Sequence, residues 1–224
     1  MEALLLSNTS NFGHLAYEHV ARDLHEIVRG DQVVLIPYAL DESDTYIDHT
    51  IAQMSMLGVD VINARNWHLE RKTILEADVV MVSGGNTFRL LSALYELNLV
   101  ERLRERVLSG KTRYLGASAG ANIAGPTIKT TNDMPIVYPP SFNALSLVPY
   151  QINPHYIDID PTSMHMGESR DQRIKEYFEA NDGSVVALYE GSWIRIDGGL
   201  TRVHGPFRIF RQGYKSDVIR NFLD

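Results

Sequence analysis

Short, continuous apolar runs recur through the first half of the chain: LLLSN from Leu4, VVLIPY from Val33, VDVINA from Val59, DVVMVSGG from Asp78 and RYLGAS from Arg113. Each is bounded by turn residues and lacks the apolar–polar alternation of a half-exposed strand, which predicts parallel strands covered on both faces. Between the first two runs, Ala16, Val20, Leu24, Ile27 and Val28 recur at three- and four-residue steps, and Gly30 follows where a left-handed cap would stop a helix. Residues 46–57 and 87–108 read as further helices. Residues 1–125 therefore scan as repeated strand–helix units with crossovers long enough for right-handed parallel connections.

The second half is less regular. Residues 126–154 are rich in proline, asparagine and serine and read as loops, whereas SRDQRIKEYFEAND reads as a helix. SVVALYE, SWIRID and RVHGPFRIF then read as strands, with DGGL at 197–200 as a hairpin turn. The expected architecture is α/β: a doubly wound, mostly parallel sheet with flanking helices and an additional C-terminal β portion. No linker or internal repeat divides it, so residues 1–224 are expected to form a single domain.

Composition narrows the chemistry. The formal net charge is −7 and no basic stripe is present, so a nucleic-acid partner lacks its main electrostatic attraction. No apolar run is long enough for a bilayer, and the opening MEALLL is acidic and short, unlike a signal peptide. A cytoplasmic location without membrane association is expected. There are no cysteines, which removes thiolate nucleophiles, disulfides and thiolate metal sites. The eight histidines form no compact ligand pattern, so neither metal nor cofactor is expected.

One stretch, RYLGASAGANIAG at 113–125, places Ser118 between Gly116 and Gly120 in a G-x-S-x-G spacing after a strand and before a run of small residues. A serine at a sharp strand-to-helix turn needs small neighbours two residues before and after it, and the following helix start can offer the Ala119 N–H as an oxyanion donor. The competing explanation is close helix–sheet packing. A second donor is expected from SGGNTF, where Gly84 and Gly85 let backbone N–H groups approach a substrate oxygen; an ordinary turn capped by Asn86 or Thr87 gives the same sequence. A serine nucleophile needs a base, and His155, in QINPHY, follows a proline in an expected fixed loop. Two carboxylates compete to orient it: Asp133 in TTNDMP and Glu190 at the end of VVALYE.

Taken in order, LLLSN, GGNTF, GASAGAN, TTNDMPIV, QINPHY and GESRDQRI resemble peptidase E, the aspartyl dipeptidase family of serine peptidases, over residues 1 to roughly 193. The resemblance implies a glutamine-amidotransferase-type fold, with Ser118 as nucleophile, His155 as base and either Asp133 or Glu190 as the acid. It also implies hydrolysis of dipeptides with an N-terminal aspartate. The chain departs from amidotransferases in having no cysteine and in carrying Ile157, not glutamate, two residues after His155.

An acidic protein that binds an aspartyl side chain needs local positive charge, which an arginine fork supplies well. Arg170 and Arg173, at the start of the helix after GES, are the candidates, Arg170 first; a solvated helix face with Arg173 paired to nearby acids is the more common origin of either arginine taken alone. The expected reaction is acyl transfer from an Asp-Xaa dipeptide to Ser118 and then to water, in a monomer or homodimer. The alternatives are a cyanophycinase-like hydrolase of β-aspartyl dipeptides and a catalytically silent ligand-binding domain of the same fold.

Overall fold

The computed structural model describes residues 1–41, 45–66, 70–160, 162, 164 and 167–223. Five parallel strands carry the first half: β1 (Glu2–Leu6), β2 (Val33–Ile36), β3 (Val61–Asn63), β4 (Val79–Val82) and β5 (Arg113–Ala117), in the spatial order β3-β2-β4-β5-β1. Strands β2, β4 and β5 are buried at every position, as their unbroken apolar runs require. Their side chains alternate between two cores. Leu4, Leu6, Val33, Leu35, Met81 and Leu115 face Leu24 and Ile27 of α1 (Ala21–Val28) and Met54 of α2 (Tyr46–Met56). Leu5, Val34, Val80, Val82 and Tyr114 face the opposite side. There they meet α3 (Glu70–Glu76), α4 (Thr87–Glu96), α5 (Val100–Leu108) and the short α6 (Ala119–Asn122). Helices on both faces of a mostly parallel sheet make the doubly wound class read from the pattern.

Three local expectations change. The helix expected over 87–108 is two helices, α4 and α5, separated at Asn98, whose φ of 52° ends the first. The left-handed cap of α1 falls on Arg29, φ 57°, one residue before Gly30. Finally, QINPHY is not a loop but a strand, β6 (Gln151–Tyr156).

The C-terminal β portion extends the same sheet. Helix α7 (Arg170–Ala180) packs Ile174 and Phe178 on Tyr156, Val185, Ala187 and Phe210. Strands β7 (Val185–Tyr189) and β8 (Trp193–Asp197) pair antiparallel with successive parts of the long β9 (Leu200–Arg211), so residues 185–197 form one course broken at 190–192. The turn into β9 is the expected two-residue hairpin, with Gly198 and Gly199 both at positive φ and Asp197 paired with Leu200. Strands β10 (Tyr214–Lys215) and β11 (Ile219–Leu223) add to β9.

These registers decide where the site lies. Strand β1 runs antiparallel to β8, whereas β6 runs parallel to β7. The C-terminal ends of β1 and β6 therefore approach the break at 190–192 from opposite directions. Strand β5, beside β1, brings its own C-terminal end to the same place. Among the described residues, no helix is long and apolar enough to cross a membrane.

Candidate active site

Ser118 occupies the turn between β5 and α6 with φ 51° and ψ −106°, a conformation side chains rarely adopt. The flanking glycines explain how the turn closes. A Cβ on Gly116 would sit 2.4 Å from the Gly120 carbonyl oxygen, and one on Gly120 would sit 2.4 Å from that of Val82. The packing and strand-to-helix-turn explanations of GASAG are thus one geometry: α6 lies against β4 and β5, and that contact holds Ser118 just past the C-terminal end of β5. The Ser118 N–H donates to the Leu6 carbonyl at 2.9 Å, while Ala119, the first residue of α6, leads with an N–H that has no intrahelical acceptor.

His155 reaches Ser118 through an irregularity in β6. Asn153 pairs with Ala187 and Tyr156 with Tyr189, so two residues, Pro154 and His155, stand opposite Leu188. This is a β-bulge, which turns a side chain off the regular pleat. Pro154 has no N–H to leave unpaired, and His155 takes φ 54°. The His155 Nε2 lies 2.9 Å from Ser118 Oγ and its Nδ1 3.2 Å from Glu190 Oε1. Glu190 itself stands at the break between β7 and β8, with two-thirds of its side chain exposed at 66%.

Asp133 faces other partners. Its Oδ2 accepts from the Thr87 N–H at 2.8 Å, the Thr87 hydroxyl at 2.5 Å and the Thr131 hydroxyl at 3.1 Å, tying the 131–133 loop to the first turn of α4. Among the described residues no hydrogen bond or ion pair joins it to His155.

Gly84 and Gly85 follow β4 and line the same cavity of about 530 Å³ as Ser118, His155 and Glu190. Gly85 holds φ 131°, and a Cβ there would meet the Ala39 carbonyl oxygen at 2.5 Å. Only glycine fits. Arg170 begins α7 half-buried and does not line this cavity; burial first, then the neighbouring Arg173, lower its pKa, with the Asp133 carboxylate opposing them. Arg173 is exposed and its Nε donates to Glu168 at 3.3 Å. Among the described residues, no group of three histidines and carboxylates is placed to hold a metal ion.

Two residues escaped the sequence reading. The Ser7 hydroxyl accepts the His155 N–H at 2.9 Å and donates to the Leu188 carbonyl at 3.0 Å, and the Asn8 Oδ1 accepts the Gly191 N–H at 2.6 Å. Both are buried, and together they fasten β1 to His155 on one side and to the break carrying Glu190 on the other. Their signal was a polar pair directly after the apolar run of residues 3–6.

The model of Peptidase family S51 matches residues 3–204. Peptidase E of Streptomyces coelicolor is 45% identical over 216 residues, spanning 95% of this chain and 88% of that protein. Peptidase E of Haemophilus influenzae is 41% identical over 96% of this chain and 98% of its own. A Drosophila melanogaster protein named "Probable alpha-aspartyl dipeptidase" is 40% identical over 87% and 82%. In fold, the chain is similar to a 1.5 Å crystal structure of a Listeria monocytogenes protein, with TM-score 0.68, 23% identity and coverage of 90% and 96%. A peptidase from an acI-B1 actinobacterium gives TM-score 0.63 at 14% identity, covering 96% of each chain.

Proposed function

Because the chain belongs to peptidase family S51 and is a serine-type peptidase, we propose that it hydrolyses dipeptides with an N-terminal aspartate through Ser118, His155 and Glu190. The observation that carries this reading is the unbroken line from Ser118 Oγ through the two ring nitrogens of His155 to Glu190 Oε1, at 2.9 and 3.2 Å. A hydroxyl is a weak nucleophile until a base takes its proton, and the imidazolium so formed is stabilised by a carboxylate on its other nitrogen.

In the proposed reaction the Ser118 oxygen attacks the peptide carbonyl carbon while His155 Nε2 accepts the hydroxyl proton. Negative charge gathers on the carbonyl oxygen, where the N–H groups of Ala119 and of Gly85 or Gly84 receive it; one such donor is worth about 3 kcal/mol of barrier. The C–N bond then breaks as His155 returns its proton to the leaving amine. Water attacks the resulting ester as His155 again takes a proton; the bond from Ser118 Oγ to the acyl carbon then breaks, His155 returns the proton to Ser118, and aspartate leaves. Arg170, half-buried at the start of α7 in an otherwise acidic protein, is assigned to the aspartyl carboxylate, a role that requires its guanidinium to turn toward the Ser118 cavity it does not line here. Arg173, held by Glu168, is a secondary candidate. Neither metal nor cofactor enters any step.

A panel of α-Asp-Leu, β-Asp-Arg and Gly-Leu tests the substrate class, and labelling of Ser118 by a fluorophosphonate tests the nucleophile. Hydrolysis of α-Asp-Leu alone, lost in a folded Ser118→Ala variant, is the expected result. Preference for β-Asp-Arg would transfer the enzyme to β-aspartyl substrates, and a chain that neither labels nor hydrolyses would be a binding domain.

A further inference from the structure

His155 and Glu190 each have a tyrosine as backbone neighbour, Tyr156 and Tyr189, and those two tyrosines pair across β6 and β7 immediately after the bulge. Tyr156 and Tyr189 pack in the small core with Ile174 and Phe178 of α7, away from the cavity that His155 and Glu190 line. There they converge on one carboxylate. Tyr189 donates its hydroxyl to Asp158 Oδ2 at 2.5 Å, and the Tyr156 hydroxyl stands 3.1 Å from Asp158 Oδ1. The guanidinium of Arg208, on β9, grips Asp158 with Nε at 3.0 Å and Nη2 at 2.9 Å, and its Nε also reaches the Tyr189 hydroxyl at 2.8 Å.

A second carboxylate completes the frame. Tyr156 donates to Asp171, beside Arg170 in the first turn of α7, and Lys215 of β10 donates to Asp171 at 2.5 Å and to Asp158 at 3.3 Å. The two tyrosine rings meet edge to face with centroids 5.0 Å apart. Five elements are therefore tied together directly behind the bulge.

We propose that Asp158, held by Arg208, is the positioning residue that closes the His155 bulge against β7, and so sets the distance from His155 to both Ser118 and Glu190. The bulge leaves His155 with fewer ladder bonds than a regular strand position has, and the first regular pair beyond it is Tyr156 with Tyr189. Without the shared Asp158, Tyr156 keeps Asp171 and Tyr189 keeps Arg208, but no one side chain bonds both hydroxyls, and the bulge can relax toward a regular register that turns His155 away. Asp158 touches no reacting atom. It acts through the two tyrosines, and the proposal rests on the triad reading above.

The test compares wild type with Asp158→Asn and with the milder Tyr189→Phe, which removes only a hydroxyl, and uses Phe178→Leu as a control that loosens the same small core without touching the clamp. Each is assayed for kcat and KM on α-Asp-Leu and for the rate of fluorophosphonate labelling of Ser118. A misplacement near 1 Å at a reacting pair costs on the order of a hundredfold. The expected result is a fall of about 10- to 100-fold in kcat and in labelling rate for Asp158→Asn, a smaller fall for Tyr189→Phe, and KM changed less than about threefold. Phe178→Leu should lose melting temperature but keep both rates.

Wild-type kcat and labelling in Tyr189→Phe and Asp158→Asn, or equal losses in Phe178→Leu, would overturn the clamp. Should Asp158→Asn fail to fold, Tyr189→Phe decides. If wild type labels but leaves α-Asp-Leu intact, the dipeptidase reading falls, while the labelling rates still judge Asp158.

Discussion

Ser118 and His155, whose side chains meet at 2.9 Å, both hold backbone conformations with positive φ, at 51° and 54°. Neither residue is glycine, so the contact between Ser118 and His155 comes with local strain on each side of it. Ser118→Gly should relieve one half of that strain. Thermal unfolding should show Ser118→Gly more stable than Ser118→Ala by about 1 kcal/mol, with both variants inactive on α-Asp-Leu. Equal melting temperatures would mean that the turn is relaxed despite its angles.

The two candidate acids separate by what they touch. Glu190→Gln removes the charge facing His155 and should lower kcat by about 10²- to 10⁴-fold with little change in melting temperature. Asp133→Asn instead weakens an acceptor shared by three donors at the start of α4 and should cost about 1–2 kcal/mol of stability. Parallel melts and kinetics on the two variants check this. A destabilised Glu190→Gln with intact kcat would reverse the roles.

The paired glycines after β4 should respond unequally to one added methyl group. Gly85→Ala combines a φ of 131° with an approach of 2.5 Å to the Ala39 carbonyl oxygen, and should cost about 1–3 kcal/mol or displace the loop. Gly84→Ala meets Ser118 Cβ at 3.3 Å without a forbidden backbone angle. It should fold, yet lose about tenfold in kcat/KM by crowding the nucleophile. Chemical denaturation and steady-state kinetics on each give the comparison.

Acid should unfasten the clamp behind the site. Burial raises the Asp158 pKa, but hydrogen bonds from Arg208, Tyr189, Tyr156 and Lys215 together outweigh it and hold the carboxyl well below the usual carboxylate range, despite the nearby Asp171. A depressed folded-state pKa contributes stability fully above the unfolded value of about 3.9, and that contribution drains away as pH falls toward the folded one. Melting temperature should therefore fall less steeply below about pH 4 in Asp158→Asn than in wild type. Identical slopes in a pH series would refute the linkage.

Much of the fold was legible because its central strands are buried on both faces and so carry unbroken apolar runs. The break between α4 and α5 was not, since Leu97, Leu99 and Val100 carry apolar character straight across the turn at Asn98. Strand β6 was hidden for the opposite reason: Gln151 and Asn153 are polar yet buried, their side-chain NH2 groups donating to the Thr127 hydroxyl and the Thr130 carbonyl, and Pro154 reads as a loop. The GASAG turn could be read locally because its glycines are demanded by neighbours in the same unit. The choice between Asp133 and Glu190 could not, because it depends on which strand end faces the bulge, a relation between segments 35 residues apart.

The opposed approach of β1 and β6 to the break in the 185–197 course has a consequence for biosynthesis. Ser7 is bonded to Leu188, to Ser192 and to His155, a partner 148 positions along the chain. When a ribosome has released residues up to 160, Ser118 and His155 already exist, but one stands on the five-stranded parallel sheet and the other on the lone strand β6, with no strand between them. Contacts so distant in sequence form late. The contact between Ser118 and His155 therefore arrives with the last stage of folding, and on the proposed mechanism a nascent chain carries its serine unarmed.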